Sequence, residues 1–282
     1  MRNRSKWVVL AACLMAVSAL GAACSAGSSG LKIGLVTDVG TLNDKNFNQF
    51  SWEGAQDGAS KVGGTATSAV STTSADIANN IQSFVDQKYD IIVTVGFAAG
   101  SDTVKAAKAN PTIKFIGVDQ SFICITATGD PDPDFGCAGD PATLLPNYQG
   151  IGWKEQQPGY LVGIIAASLT TSNVIAAVGG TASVPAVPNY IVGFANGAHS
   201  VNPAISVIVQ YVSPQPDKAA FGDAPGGKSF AQLLLSNNPT VDVIFQVAGA
   251  TGNGVLQAAC EAGIRAIGVD VDQYESSPDT KA

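Results

Sequence analysis

DIIVTVGFAAGSDTVKAAKANPTIKFIGVDQ, from Asp90 to Gln120, and DVIFQVAGATGNGVLQAACEAGIRAIGVDVDQ, from Asp242 to Gln273, share the tetrapeptide Ile-Gly-Val-Asp near their ends (Ile116–Asp119 and Ile267–Asp270). Each passes from an apolar run through a glycine-containing turn into a helix-like segment, then into a second apolar run closed by aspartate. That order is the pattern of a β-α-β unit in a parallel sheet. Two such units predict two related α/β lobes, each ending a strand on a carboxylate. Ligands of open α/β sheets lie beyond the carboxyl ends of the strands. The repeat thus predicts a cleft between lobes with Asp119 and Asp270 facing into it.

Outward from the repeats, strand and helix patterns alternate with short connections, as in a doubly wound sheet. The N-terminal lobe (31–150) opens with a strand at Leu31–Val36 and a helix from about Lys45 to Val62, in which Trp52, Ala55, Ala59 and Val62 fall at helical spacing. That spacing assigns Trp52 to the core. Thr65–Ser71 reads as a weak strand. Ala75–Gln87 reads as an amphipathic helix with Ile77, Ile81, Phe84 and Val85 on one face. Residues 121–150, rich in Pro and Gly, lack periodicity and read as an irregular insertion leading to the crossover. The C-terminal lobe (151–282) predicts a helix near Lys154–Leu169, a strand at Val174–Val178, a helix near Val187–Ser200, a strand at Ile205–Val212 and a helix near Lys228–Ser236. After Asp270 no helix covers the last strand and no crossover returns to the first lobe, so this lobe is expected to be incomplete, truncated near residue 282.

The N-terminus reads as an address. Arg2, Arg4 and Lys6 precede an uncharged run from Trp7 to Ala23, the layout of an export signal (residues 1–23). The run is shorter than the roughly 20 residues of a spanning helix. Gly21-Ala22-Ala23 then meets Cys24, which resembles a bacterial lipobox, and residues 24–30 follow as a flexible tether. A lipid anchor at Cys24 on the extracytoplasmic face is expected, with a plain secretory signal as the alternative. Loss of the leader leaves 12 Lys and Arg against 22 Asp and Glu. So acidic a surface argues against nucleic acid as a partner. Cys124 and Cys137 flank TATGDPDPDFG and in an oxidising exterior can close a loop worth roughly 3 kcal/mol; two free thiols are the alternative. Cys260 reads as a small buried residue. With His199 the only histidine and no CxxC pair, neither a metal site nor a cofactor is expected.

Five ordered motifs carry a more specific likeness: LVTDVGTLNDKNFNQFSWEG (Leu35–Gly54), EQQPGYLVGIIAA (Glu155–Ala167), VGFANGA (Val192–Ala198), AGATGNGV (Ala248–Val255) and AIGVDVDQ (Ala266–Gln273). Together they resemble the basic membrane protein family, which includes the purine nucleoside receptor A-like lipoproteins. The resemblance implies a type I periplasmic-binding-protein fold and a substrate-binding component of an ABC importer, a monomer working with permease and ATPase subunits. It implies a nucleoside in the interlobe cleft, its base between the rings of Phe47 and Phe194. Asp38 and Asn46 match positions that hydrogen-bond the base, Asp119 and Asp270 match carboxylates that bind ribose hydroxyls, and Gly249 matches a glycine of the cleft wall. A lysine that the family carries beyond the second GVD motif falls past residue 282.

Ordinary structural roles compete for the same residues. Phe47 can be a helix-start staple, Phe194 a core residue, Asp38 a turn carboxylate, and Asp44 reads as a helix cap. An enzyme is not expected. Nucleoside hydrolases bind calcium through D-x-D-x-x-x-D-D, and in VTDVGTLN (Val36–Asn43) only Asp38 matches, with no nucleophile–base pair to replace it. A sugar or autoinducer receptor of the same fold, or a sensor or adhesin, remains compatible with the pattern. Trp52 and Trp153 could stack on a sugar, although neither lies at an expected strand end.

Overall fold

The computed structural model describes residues 30–120, 123–134 and 136–276. The export signal and Cys24 lie outside these residues. Two parallel sheets organise the chain. The first holds β1 (Lys32–Val39), β2 (Thr65–Ser71), β3 (Ile91–Val95), β4 (Lys114–Val118) and β5 (Tyr148–Ile151), in the order β2-β1-β3-β4-β5. The second holds β6 (Val174–Gly179), β7 (Ser206–Tyr211), β8 (Val243–Val247) and β9 (Arg265–Ile267), in the order β7-β6-β8-β9. In each sheet the chain winds outward in both directions from its first strand, which leaves a switch point beside that strand.

Alternation along the strands divides each core in two. In β1, Ile33 and Leu35 pack towards α1 (Phe47–Lys61) with Ala55 and Ala59. Val36 packs on the opposite face, among Ile77, Ile81 and Phe84 of α2 (Ser74–Asp86) and Ala107 of α3 (Gly100–Ala109). A short helix, α4 (Pro141–Leu144), precedes β5. In β6, Ile175 and Ala177 face α5 (Gln156–Leu169) and α6 (Ala186–Val201). Ala176 and Val178 face α8 (Ala224–Asn237) and α9 (Gly249–Glu261), and the short α7 (Lys218–Phe221) and α10 (Gln273–Ser276) complete the order. No described helix is long and apolar enough to cross a membrane.

The aspartate that opens each repeat has a local task. Asp90 Oδ2 accepts the backbone N–H of Lys32 at 2.8 Å, fixing the entry of β1. Asp242 Oδ2 accepts from Thr171 N at 2.7 Å and Ser172 N at 2.9 Å, ahead of β6. Together with the Thr170 and Thr171 hydroxyls, these bonds hold the Asp242 carboxyl well below the usual carboxylate range, despite the opposing effect of burial.

Residues 121–150 hold more order than expected. Cys124 and Cys137 are disulfide-bonded, and Tyr148–Ile151 adds a fifth parallel strand, pairing Phe115 with Tyr148 and Val118 with Ile151. Four residues that include Gln149 and Gly150 are too few and too polar to give a strand signal. Asn147, nearly fully buried, fixes the strand's entry instead: its Nδ2 lies 2.9 Å from both Ala107 O and Ile113 O. The first sheet ends at Ile151, one residue past the expected boundary between lobes.

In the second lobe α5 and α6 run parallel and touch backbone to backbone. A Cβ at Gly159 or Gly163 would collide with the carbonyl of Tyr190 or Phe194. One at Gly193 or Gly197 would collide with that of Gln156 or Tyr160. Two Gly-x-x-x-Gly pairs thus interlock, a spacing that lets helices approach closely. Gly163→Ala forces the helices apart and is expected to lower stability by about 1–3 kcal/mol, read as a fall in Tm. An unchanged Tm would show that the pair separates freely and that the close approach contributes nothing.

Candidate functional site

The two repeated carboxylates end their strands in the same unusual way. Asp119 and Asp270 both have left-handed backbones, φ 58° and 64°, a conformation that L-residues rarely adopt and that tends to mark functional positions. Behind each, a glutamine side chain folds back under the strand end. Gln120, fully buried, donates from Nε2 to Thr94 Oγ1 (3.1 Å) and Gly96 O (2.9 Å), and the Tyr148 hydroxyl donates to its backbone carbonyl at 3.0 Å. Gln273 accepts from Val269 N (2.9 Å) and Gln246 Nε2 (2.7 Å) through its Oε1. The glycine of each tetrapeptide leaves room for that side chain, since a Cβ at Gly117 or Gly268 would collide with the amide oxygen of Gln120 or Gln273.

The loop between β1 and α1 supplies the next groups. Asp44 caps the helix: its carboxylate accepts from the backbone N–H of Asn46 (2.9 Å), Asn48 (2.9 Å) and Gln49 (3.1 Å). Asn46 occupies the N-cap position yet makes no side-chain cap bond. It is wholly buried, and neither Oδ1 nor Nδ2 has a hydrogen-bond partner. Asp38 is held from two sides. Its N–H donates to Asn48 Oδ1 at 2.9 Å, and its Oδ1 accepts from Val39 N at 2.7 Å. Gly96, at φ 91°, leaves space for its other oxygen.

These groups line one cavity of about 980 Å³ bounded by both lobes. The structure brings together Asp38, Asn46, Phe47, Asp119, Gly249 and Asp270 on its walls. Phe194 is not among them. It is fully buried in the core of the second lobe, packed on Phe245 with ring centroids 5.2 Å apart. The ring expected from Phe194 is offered one helical turn earlier by Tyr190, which lines the cavity and donates its hydroxyl to Asp270 Oδ1 at 3.0 Å. Tyr190 and Phe194 lie one turn apart on the same helix face, and the helix meets the cavity at its N-terminal end, so its earlier turn faces the cavity. Phe221, which the sequence did not single out, and Trp153, weighed there only as a platform for a sugar, also line the cavity. Trp153 follows β5 by two residues and so does stand at a strand end, correcting the reading that depended on leaving β5 out.

The cavity is crowded with acid. Burial pushes the Asp119 carboxyl up to about 7, reinforced by the negative charges of Asp270 and Glu155, with the Trp153 indole N–H acting in the opposite sense. Burial carries Asp38 up to about 6, opposed by the Val39 N–H. Asp270 is also raised, first by burial and then by Glu155, while the Tyr190 hydroxyl favours its anion. Burial and the Asp270 charge keep the Tyr190 phenol protonated and able to donate. Asp119 Oδ1 is buried without a partner. Unpaired buried acceptors and donors on a cavity wall are costly unless a ligand meets them, so the arrangement suits a ligand with both hydroxyl groups and an amide-like edge. Among the described residues no group of three or more His, Cys, Asp or Glu is placed to hold a metal ion.

Comparison with known proteins agrees with this architecture. A family described as ABC transporter substrate-binding protein PnrA-like matches residues 32–282. The chain is 30% identical to a CD4+ T-cell-stimulating antigen of Listeria innocua, over 95% of this chain and 70% of that protein. It is 29% identical to the ABC transporter nucleoside-binding protein BmpA of Lactococcus lactis, over 96% of this chain and 75% of the relative. Among solved structures, an ABC transporter solute-binding protein from Aeropyrum pernix superposes with a TM-score of 0.67 at 24% identity, covering 84% of this chain and 61% of that one. A 5-methylthioribose transporter solute-binding protein from Thermotoga lettingae superposes at 0.62, with 16% identity and coverage of 87% and 70%. The fold is thus that of the type I periplasmic binding proteins.

An acid whose pKa is raised by folding binds its proton more tightly in the folded state, so its contribution to stability falls as pH climbs from about 4 through 7. Asp119→Asn removes that penalty. It is expected to raise stability near pH 8 by on the order of 2 kcal/mol and to change little near pH 4, in thermal melts of the ligand-free protein. A loss of stability at pH 8 would mean that the anion is better solvated than its surroundings indicate.

Proposed function

The chain belongs to the PnrA-like family of ABC transporter substrate-binding proteins, and from that premise we propose that its cavity binds a nucleoside, with a purine base, and presents it to a permease driven by an ATPase. The observation that carries the reading is the Asn46 amide, wholly buried on the cavity wall with both polar atoms unpartnered. A nucleobase edge offers an acceptor and a donor side by side, the complement of such an amide. Asp38 reads the same edge by accepting a ring or exocyclic N–H. Phe47 and Tyr190 stack on the base, each contributing roughly 1–3 kcal/mol with little regard to base identity. Asp119 and Asp270 accept the ribose hydroxyls, Tyr190 orients Asp270, and Gly249 keeps the wall open beside Phe221.

In this reading the protein works by binding and release, with no bond of the ligand broken. It acts outside the cytoplasm, held to the membrane by lipid on Cys24. A monomer suffices, since both walls of the cavity come from one chain. A second reading, a sugar receptor, is favoured by Trp153, whose ring lines the cavity beside the carboxylates. Indole faces stack on sugars, and paired carboxylates suit hydroxyls.

Calorimetric titration with guanosine, inosine, ribose and hexoses separates the two. The nucleoside reading expects heat from a purine nucleoside and none from free sugars; the reverse pattern replaces it with the sugar reading. Phe47→Ala and Tyr190→Ala are each expected to weaken nucleoside binding by roughly 1–3 kcal/mol. Phe194→Ala is instead expected to cost about 3–5 kcal/mol of stability and to leave the affinity of the folded fraction unchanged. Hydroxyls bond best to an ionised Asp119, so affinity is expected to fall below about pH 7, approaching ten-fold per unit. A flat profile from pH 8 to 5 would remove Asp119 from the ribose site.

A further inference from the structure

A hydrogen bond joins the lobes at the side of the cavity. Asn253, in the first turns of α9, donates from Nδ2 to the backbone carbonyl of Asp44 at 3.4 Å, across 209 residues of sequence. Both ends of this half-buried amide are in use, because its Oδ1 accepts from Gln273 Nε2 at 2.7 Å. Gln273 in turn takes the N–H of Val269, the residue before Asp270, at 2.9 Å. On the other side, the Asp44 carboxylate holds the N–H groups of Asn46, Asn48 and Gln49. A polar chain therefore runs from the backbone beside Asp270, through Gln273, Asn253 and Asp44, to the backbone of Asn46. Its two ends are ligand-facing groups on opposite lobes.

We propose that Asn253 is a positioning residue that latches the α1 loop to the second lobe whenever the lobes are together, with or without ligand, and so sets the rate of ligand release. Lobes that part about a hinge must break this bond as the cavity opens. The bond leaves encounter with the ligand untouched, because it forms only when the lobes are together. Its loss therefore falls on dissociation, where most affinity differences among variants of one site arise. The proposal rests on the substrate-binding reading of the cavity, but not on the identity of the ligand.

Asn253→Asp isolates the latch. It keeps an oxygen for Gln273 Nε2 and removes the N–H given to Asp44. In the full-length, lipid-free protein, guanosine dissociation, followed by chasing radiolabelled guanosine with unlabelled, is expected to quicken roughly three- to ten-fold, with association changed less than about two-fold. Hydrogen exchange in the ligand-free protein is expected to accelerate at the amides of Asn46, Asn48 and Gln49 and to stay constant in α3. Asn253→Ser, uncharged and too short to span the gap, should behave alike; an effect confined to the Asp variant would assign it to charge repulsion and overturn the latch. Slower association with unchanged dissociation would also overturn it, making Asn253 a support of Asp270 alone. If the wild-type protein takes up no guanosine, the nucleoside reading fails, and exchange at the α1 loop decides the latch by itself: equal exchange in wild type and variants refutes it.

Discussion

Each strand-end carboxylate of the cavity wall stands beside a folded-back glutamine amide. A strand-end aspartate in the left-handed region costs on the order of 1–2 kcal/mol, and it persists only where its surroundings leave no alternative. Here the surroundings are Gln120 wedged between Thr94 and Gly96 O in one lobe, and Gln273 between Gln246 and Val269 N in the other. In the first lobe the amide ties the residue after Asp119 to the end of β3, and in the second it takes the N–H of the residue before Asp270. The glycines of the repeated tetrapeptide exist for the same reason, since any Cβ would occupy the space of the amide oxygen. The duplication seen in the sequence is thus the duplication of one device for aiming a carboxylate.

Much of this was legible in advance because it rests on periodicity and on position relative to strand ends. The repeat placed Asp119 and Asp270 correctly on the cavity wall, and the helical spacing of Ile77, Ile81 and Phe84 put those residues in the core, where they lie. Asp44 was readable as a cap because its spacing from the helix start permits little else. What could not be read was depth along a helix. Tyr190 and Phe194 share a face, and no local pattern says which turn of α6 reaches the cleft; only the close docking of α5 fixes that. β5 escaped notice for a different reason. A short parallel edge strand draws its stability from the partner's ladder and from Asn147, not from its own side chains, and without it Trp153 does not read as a strand-end residue.

The acid in the cavity comes from both lobes. The negative charges of Asp270 and Glu155 add to burial in raising the proton affinity of Asp119, and that of Glu155 does the same for Asp270. Asp38, near the end of β1, and Asn46, at the start of α1, have their backbone N–H groups held by Asn48 and Asp44. Asp38, pushed up to about 6 by burial, shares the pH sensitivity of Asp119, whereas Asn46 beside it carries no charge.

Trp153 gives the molecule an optical consequence. The chain has three tryptophans: Trp7 lies outside the described residues, and Trp52 packs at the edge of the first lobe's core. Trp153 is 62% exposed, at the mouth of the cavity beside Asp119. Indole emission shifts to shorter wavelength when water is excluded, so the emission of Trp153 is sensitive to whatever covers the mouth of the cavity, with the half-buried Trp52 as an internal reference.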